Sequence, residues 1–245
     1  MPIAKIYALG PVGTFSDQVA RRVQLHFQMH GGTLPELLYT RSIPEALELA
    51  SGHDDACAVA PIENSEAGPV LATQDNLARF GLSIEWEINL RVRLNLLAHA
   101  PLAQVTRLYA HPVAQQQCDT FLAARLATAE TTFTRSNVHS GELWAAVPDE
   151  PSAAIVPWDY APTAEPAVVI ADIQNDEQNT TRFVVVRASG AASPDFSRSK
   201  TSLLIEPDAD RPGLLFEILS VFRKYNINLC RIESRPARPR PWAYV

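Results

Sequence analysis

From Ile84 to Leu96 every even position is apolar and every odd one is polar. Ile84, Trp86, Ile88, Leu90, Val92, Leu94 and Leu96 alternate with Glu85, Glu87, Asn89, Arg91, Arg93 and Asn95. A strict period of two predicts one long strand with a single buried face, long enough to bridge two lobes. Upstream, Ile3 to Leu9 reads as a buried first strand. It runs into Gly10-Pro11-Val12-Gly13-Thr14-Phe15-Ser16 and a helix to His30, which Gly31-Gly32 stops. Leu37 to Thr40 is a short strand. Ser42 followed by Glu45 is a capping box for a helix that Gly52 closes, and Ala56 to Ala60 is a third strand ending at Pro61. This alternation predicts an α/β unit with a parallel sheet, whose ligands bind at the carboxyl ends of the strands.

Beyond the alternating segment, Val105 to Ala110 reads as a strand, and His111-Pro112 opens a helix through about Ala127. Thr131 to Phe133, Ala153 to Val156, Val168 to Ile170 and Phe183 to Val186 have strand composition. These predict a second α/β lobe inserted in the first, with a cleft between them. Ala188 to Ser199 is rich in Ser, Ala and Gly and reads as a linker. After it come a strand (Thr201 to Glu206), a helix from Pro212-Gly213 to Tyr225, a strand (Ile227 to Ile232) and the start of a third at Trp242 to Val245. Leu215, Ile218, Leu219 and Phe222 share one face of that helix.

Composition narrows the classes. The chain has 245 residues, 47% hydrophobic and 20% charged, in the range of a globular protein with a sizeable core. A net charge of -6 and the lack of a basic stripe argue against nucleic acid as a partner. No apolar run reaches membrane-spanning length, so no membrane is expected. Cys57, Cys118 and Cys230 are far apart and form no CxxC pair. That points to a reducing cytoplasm rather than to a zinc ribbon or a disulfide framework. No metal-ligand spacing is present, so no metal is expected.

Four segments carry candidate chemistry. Gly10 to Ser16 can offer backbone N–H groups and two hydroxyls at a helix N-terminus, an anion site or a plain capped turn. Pro61-Ile62-Glu63-Asn64-Ser65, with Gly68 following, gathers a carboxylate, an amide and a hydroxyl in one turn. His111-Pro112 with Gln115-Gln116-Gln117-Cys118 places amides on the first turns of a helix; Cys118 reads as a small core residue. Asn179-Thr180-Thr181-Arg182-Phe183 sets a hydroxyl donor beside a guanidinium at the mouth of a strand.

In this order and at these separations the four segments resemble prephenate dehydratases. The tail resembles that family's ACT regulatory domain, through Arg211-Pro212-Gly213-Leu214-Leu215 and Asn228 to Pro236. The resemblance covers essentially the whole chain. It implies a catalytic domain over residues 1–187 of the type II periplasmic-binding-protein kind, with lobe one about 1–80 and 168–187 and lobe two about 81–167. A linker over 188–200 and a partial, ferredoxin-like α+β ACT domain over 201–245 would follow. The implied reaction converts prephenate to phenylpyruvate with loss of carbon dioxide and water, in phenylalanine biosynthesis, without cofactor. Thr181 would donate to the leaving hydroxyl, and Asn64, Ser65 and Gln117 would hold the substrate. Thr14, Phe15 and Ser16 would line the cleft, together with Glu63 and Phe183. Arg182 would offset substrate charge or brace the site. Gly213, Leu214, Glu233, Ser234, Arg235 and Pro236 would bind L-phenylalanine as effector at the interface of a homodimer or homotetramer. The chain departs from the family pattern in several places: Ala110 stands where serine is usual before His-Pro, Val113 where glutamine usually follows it, and Ser140 to Ala146 matches poorly the Ser/Thr-Ala-rich segment expected there. Because Ile3 already opens the first strand, a monofunctional enzyme is expected rather than one fused to chorismate mutase. An arogenate dehydratase and a non-catalytic two-lobed binder with an ACT sensor remain open alternatives.

Overall fold

The computed structural model describes residues 2–31, 33–188, 200–206 and 211–235. It divides into two units, Met1–Pro194 and Asp195–Val245.

The first unit contains two sheets. One is built from β1 (Lys5–Leu9), β2 (Glu36–Thr40), β3 (Ala56–Asn64), the short β4 (Gly68–Pro69), β5 (Leu82–Arg91) and β11 (Thr180–Ala188). Its order is β2-β1-β3-β11-β5, with β4 paired to β3. β1, β2 and β3 run parallel, as the alternation predicts, whereas β11 lies antiparallel between β3 and β5. Helix α1 (Phe15–Gly31) covers one face; α2 (Ile43–Ser51) and α3 (Leu71–Arg79) cover the other. The capping box at α2 is formed: Glu45 N–H donates to Ser42 Oγ, and Arg41 N–H donates back to Glu45 Oε2.

The second sheet has the order β10-β6-β9-β7-β8, from β6 (Leu94–Ala98), β7 (Arg107–Ala110), β8 (Glu130–Phe133), β9 (Ser152–Pro157) and β10 (Val168–Ile170). Helices α4 (Pro112–Gln117), α5 (Asp119–Arg125) and α6 (Asn137–Ala145) flank it. Each sheet has an apolar core on both faces. Phe15 packs against a core of each lobe.

Several expectations are corrected. The long alternating strand is two strands in two sheets, broken at Val92–Arg93. The period survives the break because both strands bury their even positions: Leu90 in the first lobe, Leu94 and Leu96 in the second. The lobe boundaries shift accordingly, with β5 in the first sheet and β10 in the second. The chain crosses between the sheets at 92–93 and 171–179. At the crossing, Val92 N–H donates to Asn179 O, and Ile173 N–H to Leu94 O.

The third strand does not end at Pro61 but continues to Asn64. A register shift opposite Arg182/Phe183 leaves Ile62 as an extra residue, a bulge where proline is tolerated. The helix expected from His111 to Ala127 breaks at Cys118 into α4 and α5. Asn175 occupies the break. Its N–H donates to Gln117 O, and its side-chain amide donates to Gln116 O and to the Asp119 carboxylate. α3 and α6 were not expected from periodicity.

The second unit is described by itself. Helix α7 (Leu214–Lys224) begins where the sequence places it, behind Gly213 at φ 85°. Thr201 to Glu206 and Ile227 to Ile232 are not strands. An extended segment becomes a strand only by laddering with a neighbour, and Leu203, Leu204, Ile227 and Ile232 stay exposed. The strand expected at Trp242 to Val245 lies outside the described residues.

Candidate active site

The cluster at the end of β3 is built by ladder register. Thr181 on β11 lies opposite Asn64 on β3 and opposite Leu90 on β5. Asn64 is buried, and its amide is fully engaged. Its Oδ1 accepts from the backbone N–H groups of Glu66 (3.0 Å) and Ala67 (2.8 Å). Backbone N–H can only donate, so the amide orientation is determined and Nδ2 must be the donor. Nδ2 donates to Asn179 Oδ1 at 2.7 Å and to Thr181 Oγ1 at 2.9 Å. Gln117, at the end of α4 in the other lobe, brings Nε2 to 3.4 Å from Asn64 Oδ1. Asn64, Thr181 and Gln117, singled out from separate segments, thus meet where the two lobes adjoin.

The consequence for Thr181 is chemical. Its oxygen accepts from Asn64, which leaves its O–H proton for another acceptor and polarises it toward donation. Two residues outside the predicted set complete the network. Asn179 is fully buried, and its Nδ2 donates to Glu66 Oε2 at 3.0 Å, so Glu66, Asn179, Asn64 and Thr181 form one chain of hydrogen bonds. Burial, together with Asp176 and Asp119 nearby, raises the Glu66 carboxyl above the usual carboxylate range. The sequence signal for Asn179 is its place one strand residue ahead of Thr180-Thr181; nothing local marks Glu66.

Arg182 and Glu63 stand apart from this cluster. Successive strand residues face opposite sides, so Arg182 projects from the face opposite Thr181. There its guanidinium lies 3.2 Å from Glu63 Oε2 and 3.8 Å from Glu87 Oε2. Ser65 closes the strand end: its Oγ accepts from Thr180 N–H, and its own N–H donates to Thr180 O. Phe183 is buried in the first-lobe core.

The first loop is committed mainly to itself. Thr14 Oγ1 accepts from Asp17 N–H at 3.3 Å and donates to Pro11 O at 2.9 Å, the work of a helix cap. Ser16 is buried. Among the described residues no hydrogen bond joins Thr14 or Ser16 to the Asn64 cluster. Asp17 anchors the loop, accepting from Gly13 N–H, Arg21 Nε and the Tyr39 hydroxyl. Burial and this carboxylate push the Tyr39 hydroxyl up to about 12. Phe15 reaches both lobes, and Gln18 Nε2 crosses to Asp159 Oδ1 at 2.7 Å. His111 caps α4 by accepting from Val113 N–H. The Cys118 thiol is buried, and burial, with Glu66 and Asp119 nearby, raises it to about 12, too high for a nucleophile at neutral pH.

In the second unit, Gly213 and Leu214 open α7, and Glu233 pairs with Arg231 at 2.7 Å. Ser234 and Arg235 are described; Pro236 lies outside the described residues.

Two α/β lobes joined by two crossovers, with polar side chains meeting between them, define the two-lobed class to which a periplasmic transporter fold also conforms. Within that class the family is specific. The prephenate dehydratase family model matches residues 6–191, and the chain belongs to that family. The prephenate dehydratase of Mycobacterium leprae is 33% identical over 261 aligned positions, covering the whole of this chain and 77% of its own. The bifunctional chorismate mutase/prephenate dehydratase of Aquifex aeolicus is 32% identical over 98% of this chain, which spans 64% of that protein's length. Among solved structures, the prephenate dehydratase of Arthrobacter aurescens in complex with L-Phe has a TM-score of 0.75 at 30% identity. That match covers 98% of this chain and 78% of the other.

Proposed function

We propose that this chain catalyses the decarboxylating dehydration of prephenate to phenylpyruvate. The observation that carries the reading is the meeting of Thr181, Asn64 and Gln117 in one hydrogen-bonded cluster where the lobes adjoin. Prephenate is a dianion. Loss of its ring carboxylate as carbon dioxide pushes an electron pair through the ring and expels the hydroxyl, which takes up a proton from solvent to leave as water. The driving force is aromaticity, so the protein needs to orient the ring and support the departing oxygen. Thr181 donates its hydroxyl hydrogen to that oxygen; Asn64 polarises Thr181, and Gln117 and Ser65 position the substrate. A threonine hydroxyl has no useful pKa near neutrality, so it stabilises developing charge rather than delivering a full proton. The side chains that meet the substrate in this reading, Thr181, Asn64, Gln117 and Ser65, are neutral. That suits a reaction in which clasping the departing carboxylate would stabilise the ground state as much as the transition state.

Arg182 with Glu63 braces the strand from behind in this reading. Phe15 closes the site between lobes, with Thr14 and Ser16 holding its loop. The Gly213 loop and the segment from Glu233 to Pro236 would serve L-phenylalanine as effector in a homodimer or homotetramer, by analogy with the L-Phe complex of the Arthrobacter protein. Three free thiols and a biosynthetic family fit a cytoplasmic enzyme. The test is turnover of prephenate, followed as phenylpyruvate absorbance in alkali, with and without L-phenylalanine. Saturable binding of prephenate without product formation would overturn the enzymatic reading.

A further inference from the structure

At the other end of the first sheet, about 20 Å along β11 from Thr181 at ~3.3 Å per residue, lies a pocket of about 200 Å³. It is lined by Pro2 and Ile3 ahead of β1, by His26, Phe27 and His30 on the last turns of α1, by Thr33, and by Arg187 near the end of β11. Arg187 is 8% exposed. One of its nitrogens, Nη2, donates to Asp54 O at 3.0 Å, whereas Nε is buried with no hydrogen-bond partner. Among the described residues no carboxylate comes within ion-pair distance of it, in contrast to Arg182 five positions earlier on the same strand. Leaving a buried guanidinium without a counter-charge is unfavourable, and an anion in the pocket would relieve it.

We propose that this pocket is a second ligand site, which takes a small organic monocarboxylate with an apolar body. The carboxylate pairs with the Arg187 guanidinium where that side chain lines the pocket, a charge-assisted contact in a desolvated place. Ile3, Phe27 and Pro2 supply an apolar wall for the rest of the ligand. Thr33 and His30 are exposed at the rim. The wall offers a single guanidinium, the one permanent positive charge among its residues. The C-terminal end of α1, with its partial negative charge, further disfavours a multiply charged anion. The site shares no residue with the Asn64 cluster and does not depend on how that cluster works.

The test is a two-dimensional amide and guanidinium Nε–H NMR titration of the full chain with benzoate, using benzyl alcohol and inorganic phosphate as controls. Benzoate is expected to give saturable shifts at Ile3, Phe27, Thr33 and the Arg187 Nε–H, and the two controls weaker ones. Arg187→Met should weaken benzoate roughly tenfold, the scale of a lost hydrogen bond to a charged group. Because Arg187 is buried and its loss could disturb folding, the exposed His30→Glu serves as a second variant, expected to weaken benzoate several-fold with a melting temperature lowered by only a few degrees. Thr181→Val should leave benzoate affinity unaltered. The proposal is overturned by benzoate shifts confined to the Asn64 region, by equal binding of benzyl alcohol or phosphate, by affinity unchanged in both pocket variants, or by no saturable shift at millimolar benzoate.

Discussion

Asn64 is the residue on which the site turns, because its two amide ends do different work. Glu66 and Ala67 N–H groups fix the oxygen, and the nitrogen is thereby aimed at Asn179 and Thr181. Thr181→Val keeps the shape and strand preference of the side chain and removes only the hydroxyl. It should lower kcat by roughly a hundredfold or more, the size of general-acid effects, with the melting temperature preserved. A rate within about threefold of wild type would remove Thr181 from the mechanism. Arg182, its neighbour in sequence, should behave differently. Its partners are half-exposed carboxylates on the opposite face. Arg182→Gln should therefore reduce stability by about 1 kcal/mol or less and change kcat far less than Thr181→Val does, compared by thermal melts and steady-state rates.

At the scale of elements, packing depends on close approaches that side-chain volume would spoil. Gly13 has φ 86°, and a Cβ there would come 3.3 Å from Val138 Cγ2 on α6, in the other lobe. Gly13→Ala should destabilise by about 1–2 kcal/mol, the cost of a left-handed conformation with a side chain, as read in denaturant midpoints. Gly141 on α6 is tighter still, since a Cβ would collide with the Tyr160 ring. Gly141→Ala should cost roughly 1–3 kcal/mol of stability by overpacking, and Gly141→Ser at least as much. The break at Cys118 between α4 and α5 has a similar logic. It exposes carbonyls at Gln116 and Gln117 that the second crossover satisfies through Asn175, which ties Gln117 to the segment leading into β11.

For the molecule as a whole, the relation of the two lobes rests on the two crossovers. Arg93 in one forms a two-pronged pair with Asp172 in the other, at 2.7 Å for each bond, and stacks on Trp158. The Arg93 guanidinium holds the Asp172 carboxyl below its usual range. A carboxylate whose folded pKa is depressed stabilises above its unfolded pKa, and that contribution is lost as pH falls through the folded value. Melting temperatures followed downward from about pH 6 should therefore fall less steeply below about pH 4 in Asp172→Asn than in the wild type. Identical pH profiles would show that this pair does not brace the crossing.

Much of this was legible in the chain. Period two between Ile84 and Leu96, the Ser42 and Glu45 cap and the punctuation by glycine and proline gave most strands of the first unit, the first two helices and the three segments that meet at Asn64. These signals are local: they depend on which face a residue presents and which backbone groups its neighbours can satisfy. What the pattern could not carry was partnership. Alternation looks the same whether a strand stays in one sheet or passes into another, so the break at Val92–Arg93 was invisible. Adjacency of Thr181 and Arg182 in sequence hid that a pleated strand sends them to opposite sides. Among the described residues, the segments expected as strands on either side of α7 pair with no neighbour. The sequence by itself determined which residues were polar and local enough to do chemistry. Only the tertiary structure decided which of them meet, because register and packing act between segments that the chain keeps far apart.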